Sequence, residues 1–312
     1  MKAIRTASLL ILLACFSQVY GQITETEGKL KKQSTDTIDG WKNGGVLGLN
    51  LSQTSLTNWA AGGENSLSVN GLFSVFAKYK KGKSAWDNSL DLGYGLLKQG
   101  KEGDYMKTDD KVDFLSKYGQ QAFNKNLYYS VLFNFKTQMT EGKDYATDTS
   151  KISNFLAPAY ILGAIGFDYK PDNYFSAFAA PFTGKITLVK DKQLSDAGAF
   201  GVDSGKTSKV EFGGYIRLIY SRNDFKSELL KNVSFTTKID LFSNYLKNPD
   251  CIDVNWETQI ALKVNKYISV NLNTQLMYDD DIRFEVVENG VTKMVPKTQF
   301  KEILGVGFSY NF

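Results

Sequence analysis

The sequence has no histidine, only two cysteines and five prolines in 312 residues, and no apolar run long enough to cross a bilayer as a helix. Without histidine there is no Ser-His-Asp triad, no Ser-His lipase pair, no His-Asp protease site and no ordinary zinc site. A membrane helix needs roughly 20 consecutive apolar residues, and the stretch from Leu9 to Phe16 falls well short. Scarce proline is compatible with many long strands, which proline interrupts. With Cys15 near the start, Cys251 is the one cysteine in the body of the chain, so no internal disulfide is expected.

Aromatic residues are plentiful. Tyr and Phe number 17 and 21, and 27 glycines accompany them, a mixture that suits strands joined by glycine-containing turns. The mean hydropathy of -0.27 is that of a soluble protein. It does not exclude a β-barrel, because only alternate residues of a barrel strand meet lipid.

Residues 1–21 read as a signal peptide, with Lys2 and Arg5 as the basic region, the short apolar stretch, and Val19-Tyr20-Gly21 ahead of Gln22. Leu12-Leu13-Ala14-Cys15 loosely resembles a lipoprotein box, which the bulky Leu13 fits poorly. Removing Lys2 and Arg5 lowers the net charge from +4 to +2, too balanced for a nucleic-acid partner. Residues 22–40, polar and without β periodicity, read as a flexible periplasmic leader, and 41–312 as one continuous domain.

Within that domain apolar and polar residues alternate. Leu67, Val69, Phe73, Val75 and Tyr79 oppose Ser68, Asn70, Ser74 and Lys78. Val233, Phe235, Ile239 and Leu241 oppose Ser234, Thr236, Lys238 and Asp240, and the same holds near 129–136 and 252–264. Period two means strand, with one greasy and one polar face. The segments fall at 44–56, 66–80, 84–98, 110–122, 126–140, 153–170, 173–189, 207–225, 229–246, 251–265, 267–284 and 299–312, about twelve in all, many longer than the ~5–6 residues of an ordinary strand. Connections alternate between short (80–83, 124–125, 171–172, 266) and long (57–65, 99–109, 141–152, 190–206, 285–298), with 226–228 and 247–250 unclear. Sorted loops and an even strand count predict an all-β fold, a transmembrane antiparallel up-and-down β-barrel in the cell outer membrane.

Tyr79 and Trp86 flank one short turn, Tyr169 and Tyr174 another, and Tyr267 a third, as an interfacial girdle would. The terminal Phe308, Tyr310 and Phe312 alternate like the signal read by the barrel-assembly machinery. Lipid and that machinery are the expected partners.

The stretch Leu49-Asn50-Leu51-Ser52-Gln53-Thr54, followed by Asn58-Trp59-Ala60-Ala61-Gly62-Gly63-Glu64-Asn65-Ser66, resembles the opening of an outer-membrane β-barrel family of Bacteroidota known as a domain of unknown function, DUF3078. Ala157-Pro158-Ala159-Tyr160, Gly166 to Pro171 and Ala180 to Lys185 extend the resemblance. It implies an outer-membrane location and brings no established activity.

Alternation puts Lys78, Asp87, Asp91, Lys136, Asp168, Lys185, Arg217, Lys238, Asp240, Asp253, Glu257 and Lys263 on polar faces, as candidates to line a lumen. Two carboxylates close together are able to do acid–base work, yet buried carboxylates ordinarily pair with lysine or arginine. We therefore expect no enzyme, no cofactor and no metal. Asn58, Trp59, Gly62 and Gly63 form a loop motif, able to fold inward as a constriction or to serve as a turn with an interfacial anchor. Asp279-Asp280-Asp281 reads as a solvated acidic loop, with calcium as the sharper alternative. Pro158 and Pro181 call for a bulge or a strand end. The expected function is a narrow, porin-like channel or binding barrel for small polar solutes; the alternative is a structural or assembly partner of other envelope proteins.

Overall fold

A sheet that is greasy on one face and unpaired at its edges has two liabilities, and ring closure removes the second. The computed structural model describes residues 39–57, 63–100, 103–145, 150–265, 268–288 and 291–311. The expected signal peptide and nearly all of the expected leader lie outside these residues, as do Asn58, Trp59, Gly62, Tyr267 and Phe312.

Twelve antiparallel strands close the barrel: β1 (Gly40–Thr54), β2 (Ser66–Lys81), β3 (Ser84–Gln99), β4 (Tyr105–Gln121), β5 (Leu127–Thr137), β8 (Ala159–Tyr169), β9 (Phe175–Leu188), β10 (Ser208–Arg222), β11 (Val233–Asn244), β12 (Ile252–Lys263), β13 (Ile268–Tyr278) and β16 (Gln299–Asn311). Each pairs with its sequence neighbour in the ring, and β1 meets β16. All twelve expected segments are there. Two small hairpins were not expected: β6 (Gly142–Lys143) with β7 (Lys151–Ser153), and β14 (Arg283–Glu288) with β15 (Val291–Pro296). A short helix, α1 (Lys192–Asp196), sits in the loop after β9.

Ring parity settles the two unclear connections. The link after β10 falls on the short-turn side and the link after β11 on the long-loop side. The expected segment 153–170 begins late as a barrel strand, because Pro158 stands immediately before Ala159, where β8 starts. Pro181 marks a bulge: Ile165 faces Phe182 while Phe167 faces Ala179, so β9 carries an extra residue there. A Cβ on Gly166 would overlap the carbonyl of Ala179, so only glycine fits opposite the bulge. The consequence is a switch of parity. Ser176, Phe178 and Ala180 are buried before the bulge, and Thr183, Lys185 and Thr187 after it.

The outward face is apolar. Leu47, Leu49, Leu51, Val131, Phe133, Ile165, Phe167, Leu304 and Val306 are all exposed, a pattern that inverts the soluble rule. At the short-turn end Trp41 packs 5.1 Å from Tyr79 and 5.8 Å from Trp86, and Tyr129 lies 5.5 Å from Phe167, as an aromatic girdle would.

Candidate functional site

The interior of a barrel this size is filled by side chains, and here they divide into an apolar part and three tiers of charge. The apolar part is Leu132, Ala164, Phe178, Ala180, Tyr215 and Phe242, together with Val46 packed on Leu72 and Phe76.

The tier nearest the short turns joins Asp168 to Lys117 at 2.6 Å and to Lys170 at 3.4 Å, while Lys170 also reaches Asp87 at 3.5 Å. Ser176 donates its hydroxyl to Asp168 at 3.1 Å. Lys78 is buried at this level, 5.4 Å over the Phe76 ring.

The middle tier crosses the lumen. Lys111 on β4 approaches Glu257 on β12 at 3.3 Å, and these two strands lie six steps apart round the ring in either direction. That ion pair spans the bore. Lys238 binds Glu257 at 3.0 Å and stands 4.0 Å from Asp113, which Lys136 approaches at 3.8 Å. Arg217 donates from Nε and Nη2 to the two oxygens of Asp240 at 2.6 and 3.0 Å. Asp91 is on the same face, in register with Asp113, and Lys263 lies half-buried near the short-turn end of β12.

The loop-side tier gathers Lys185 with Asp253 at 2.7 Å, and with Glu211 and Asp279 at 3.6 Å each. Lys209 contacts Glu211 at 3.1 Å and also Asp281, which Lys247 approaches at 3.8 Å. Lysines thus neutralise two carboxylates of the acidic triplet, and Asp280 meets Arg283 at 3.9 Å. Among the described residues no cluster of acids is arranged to hold a metal ion.

Between the middle and loop-side tiers lies a cavity of about 170 Å³. Its walls carry Asn134, Lys136, Tyr160, Lys185, Asp240, Asp253, Asn255, Gln275 and Tyr278. Ammonium, carboxylate, amide and aromatic groups share this space, a set that holds small polar molecules by hydrogen bonds with a ring face as platform.

The twelve lumen candidates fall on the inward faces of their strands. Charged residues of the same interior that escaped the sequence reading include Lys111, Asp113, Lys117, Lys170, Lys209 and Glu211. Of the loop motif, only Gly63 is described, with a positive φ of 112° as its turn role requires. Of the terminal signal, Phe308 is 57% exposed on the outward face, and Tyr310 is paired with Leu47 through its backbone.

Outside the barrel wall Asp191 ties the loop after β9 to the segment that precedes β8. One oxygen caps α1 through the N–H groups of Gln193 and Leu194, and the other accepts from Asn154 at 2.9 Å and Lys151 at 3.0 Å. These hydrogen bonds, from Asn154 first and then Lys151, hold its carboxyl down at about 2.

Residues 51–142 match the model of a family described as a protein of unknown function, DUF3078. The match covers less than a third of the chain. It runs from the end of β1 through β5, takes in the motif from Asn58 to Ser66, and contributes Lys78, Asp87, Asp91, Lys111, Asp113, Lys117 and Lys136 to the lumen. The resembling stretches at 157–160, 166–171 and 180–185 lie beyond the DUF3078 match. No curated protein matches the chain. Two solved structures that do are the COG4313 outer membrane channel from Pseudomonas putida F1 and the translocator domain of autotransporter NalP from Neisseria meningitidis. The first is 10% identical with a TM-score of 0.39, covering 90% of this chain and 98% of that one. The second is 8% identical with a TM-score of 0.40, covering 95% and 100%.

Proposed function

We infer that the barrel resides in the outer membrane and binds small polar solutes in the loop-side half of its lumen, without catalysing a reaction on them. The exposed apolar wall and the aromatic girdle support the membrane placement. In this reading the barrel-assembly machinery inserts the chain by way of Phe308, Tyr310 and Phe312, and lipid covers the wall.

The observation that carries the solute reading is the ion pair from Lys111 to Glu257, which crosses the bore beneath the polar cavity. A solute entering from the loops meets ammonium, carboxylate and amide groups and then a charged floor. Passage beyond that floor requires the middle tier to part. The barrel is therefore a binding vessel that conducts only when those pairs separate.

Planar-bilayer recordings test this. Wild-type protein is expected to show rare, brief openings, and the Lys111→Ala/Glu257→Ala double variant sustained current that monosaccharides or amino acids block. Sealed records from both proteins would sink the channel element, and an unblocked variant current would sink solute binding.

The packed apolar part of the interior favours a second reading, in which the barrel is a structural partner of other envelope proteins. Cross-linking in whole cells followed by detergent extraction separates the two. A barrel recovered alone every time would dismiss the structural role.

A further inference from the structure

Every pair of neighbours in the ring shares ten or more residue pairs, except the pair that closes it. Among the described residues β1 and β16 pair over five positions, from Val46 with Asn311 to Asn50 with Gly307. Continuing that register would set Leu51 against Val306, Ser52 against Gly305, Gln53 against Leu304 and Thr54 against Ile303. None of these is paired, although all eight residues are extended strand on their other edges. The seam is therefore zipped at the short-turn half and parted at the loop half. Asn50 sits at the fork: its side chain lies so close on the backbone of Gly307 that a Cβ there would overlap it, and its buried Oδ1 has no hydrogen-bond partner.

A second cavity, of about 110 Å³, opens behind the parted half and is lined from both sides of the seam by Asn50 on β1 and by Lys301 and Ile303 on β16. Its inner wall is rich in side-chain amides, including Asn70, Asn271 and Asn273. Its charges already have partners, Lys301 with Asp109 at 2.9 Å and Lys111 with Glu257 at 3.3 Å. The outer rim is the opposite in character, since Leu49, Leu51, Leu304 and Val306 are exposed on the outward face.

We propose that the parted half of the seam is a lateral doorway, through which an amphiphile of the surrounding bilayer places its headgroup in this cavity while its acyl tail stays among the lipid-facing leucines. Unpaired backbone N–H and C=O groups facing hydrocarbon are unfavourable because lipid offers them no hydrogen bonds, and a polar headgroup at the gap supplies partners for them. Because the charges of the cavity are internally paired, the headgroup it accepts carries no net charge, such as a zwitterionic phosphocholine. An added β-strand is the poorer occupant. The gap offers four residues of β1, fewer than the ~5–6 of an ordinary strand, and a strand at the wall would leave the amide-lined cavity unfilled.

This inference shares with the solute reading only the placement of the barrel in a membrane, and its test separates the two. With Cys15 and Cys251 replaced by serine, single cysteines at Ser52, Leu304 and Ser234 are labelled with bimane in phosphatidylcholine vesicles containing lysophosphatidylcholine nitroxide-labelled on its acyl chain. Quenching is expected at Leu304→Cys on the wall and at Ser52→Cys inside the gap, and not at Ser234→Cys, which is buried inside and paired with Ala261 of β12. A disulfide between Gln53→Cys and Leu304→Cys, added to the Ser52 reporter as a serially labelled triple variant, is expected to abolish the Ser52 quenching, and reduction to restore it. Quenching at Leu304 without quenching at Ser52 overturns the doorway and leaves the membrane placement standing. Quenching at neither overturns both, and Ser52 quenching indifferent to the disulfide, or a second polypeptide held at the seam, overturns the doorway.

Discussion

Asp240 accepts hydrogen bonds from Tyr215 Oη at 2.7 Å and from Arg217 at 2.6 and 3.0 Å, and Lys136 stands 3.7 Å from the same carboxylate. Removing one member of a buried pair strands its partner's charge, at a cost of about 3–5 kcal/mol. Asp240→Ala leaves Arg217 buried without its ion-pair partner. Lys136→Ala removes a group whose side chain is 26% exposed, and Asp240 keeps Arg217, so that loss is expected to be ~1 kcal/mol or less. Urea unfolding followed by the gel-mobility shift of the folded barrel checks the ranking; equal midpoints for the two variants would refute it. Interior charges were legible one strand at a time. Asp240 and Lys238 stand out because clean alternation surrounds them, whereas Lys111 and Asp113 sit in Lys107-Thr108-Asp109-Asp110-Lys111-Val112-Asp113, where consecutive charges blur the two faces. A bulge at Thr108 explains the blur, since Gly95 faces Asp109 and Leu96 faces Lys107. Nothing in the sequence places Lys111 opposite Glu257, because that contact depends on ring closure.

At the scale of the element, β9 shows what a single inserted residue does. Simple alternation from Phe178 would send Lys185 outward, and the bulge at Pro181 turns it in to meet Asp253. Deleting Pro181 removes the extra residue and leaves plain alternation, with Ala180 in, Phe182 out and Thr183 in, so Lys185 still faces inward. This deletion and Pro181→Ala are both expected to retain the folded, mobility-shifted form, whereas an alanine inserted between Phe182 and Thr183, which turns Lys185 outward and Ile186 inward, is expected to abolish it. A folded insertion variant with wild-type unfolding behaviour would show that the facing of Lys185 is dispensable. The strands themselves were legible because each runs long enough for its period to register. The hairpins β6–β7 and β14–β15 were not, being short pairings inside loops with no buried face to impose a pattern. Proline told more than composition alone: Pro158 stands at a strand start and Pro181 at a bulge, the two places where a missing N–H does least harm.

For the whole molecule the governing fact is inversion: charge and amide inside, leucine, valine and phenylalanine outside. The same ring in water would leave its apolar wall unsatisfied, so the medium around the barrel takes part in its folding. Depth along the wall then sets the cost of a charge. Arginine at Val131, which is 51% exposed midway along β5, is expected to destabilise by about 2–4 kcal/mol, and arginine at Trp41 in the girdle by ~0–1 kcal/mol. Reversible unfolding in phospholipid vesicles measures both. A wall bathed by water would make the two substitutions alike, since each side chain is already exposed and neither would leave its solvent. A gradient with depth identifies hydrocarbon as what those side chains face, and the steepness of that gradient reports where along each strand the bilayer ends.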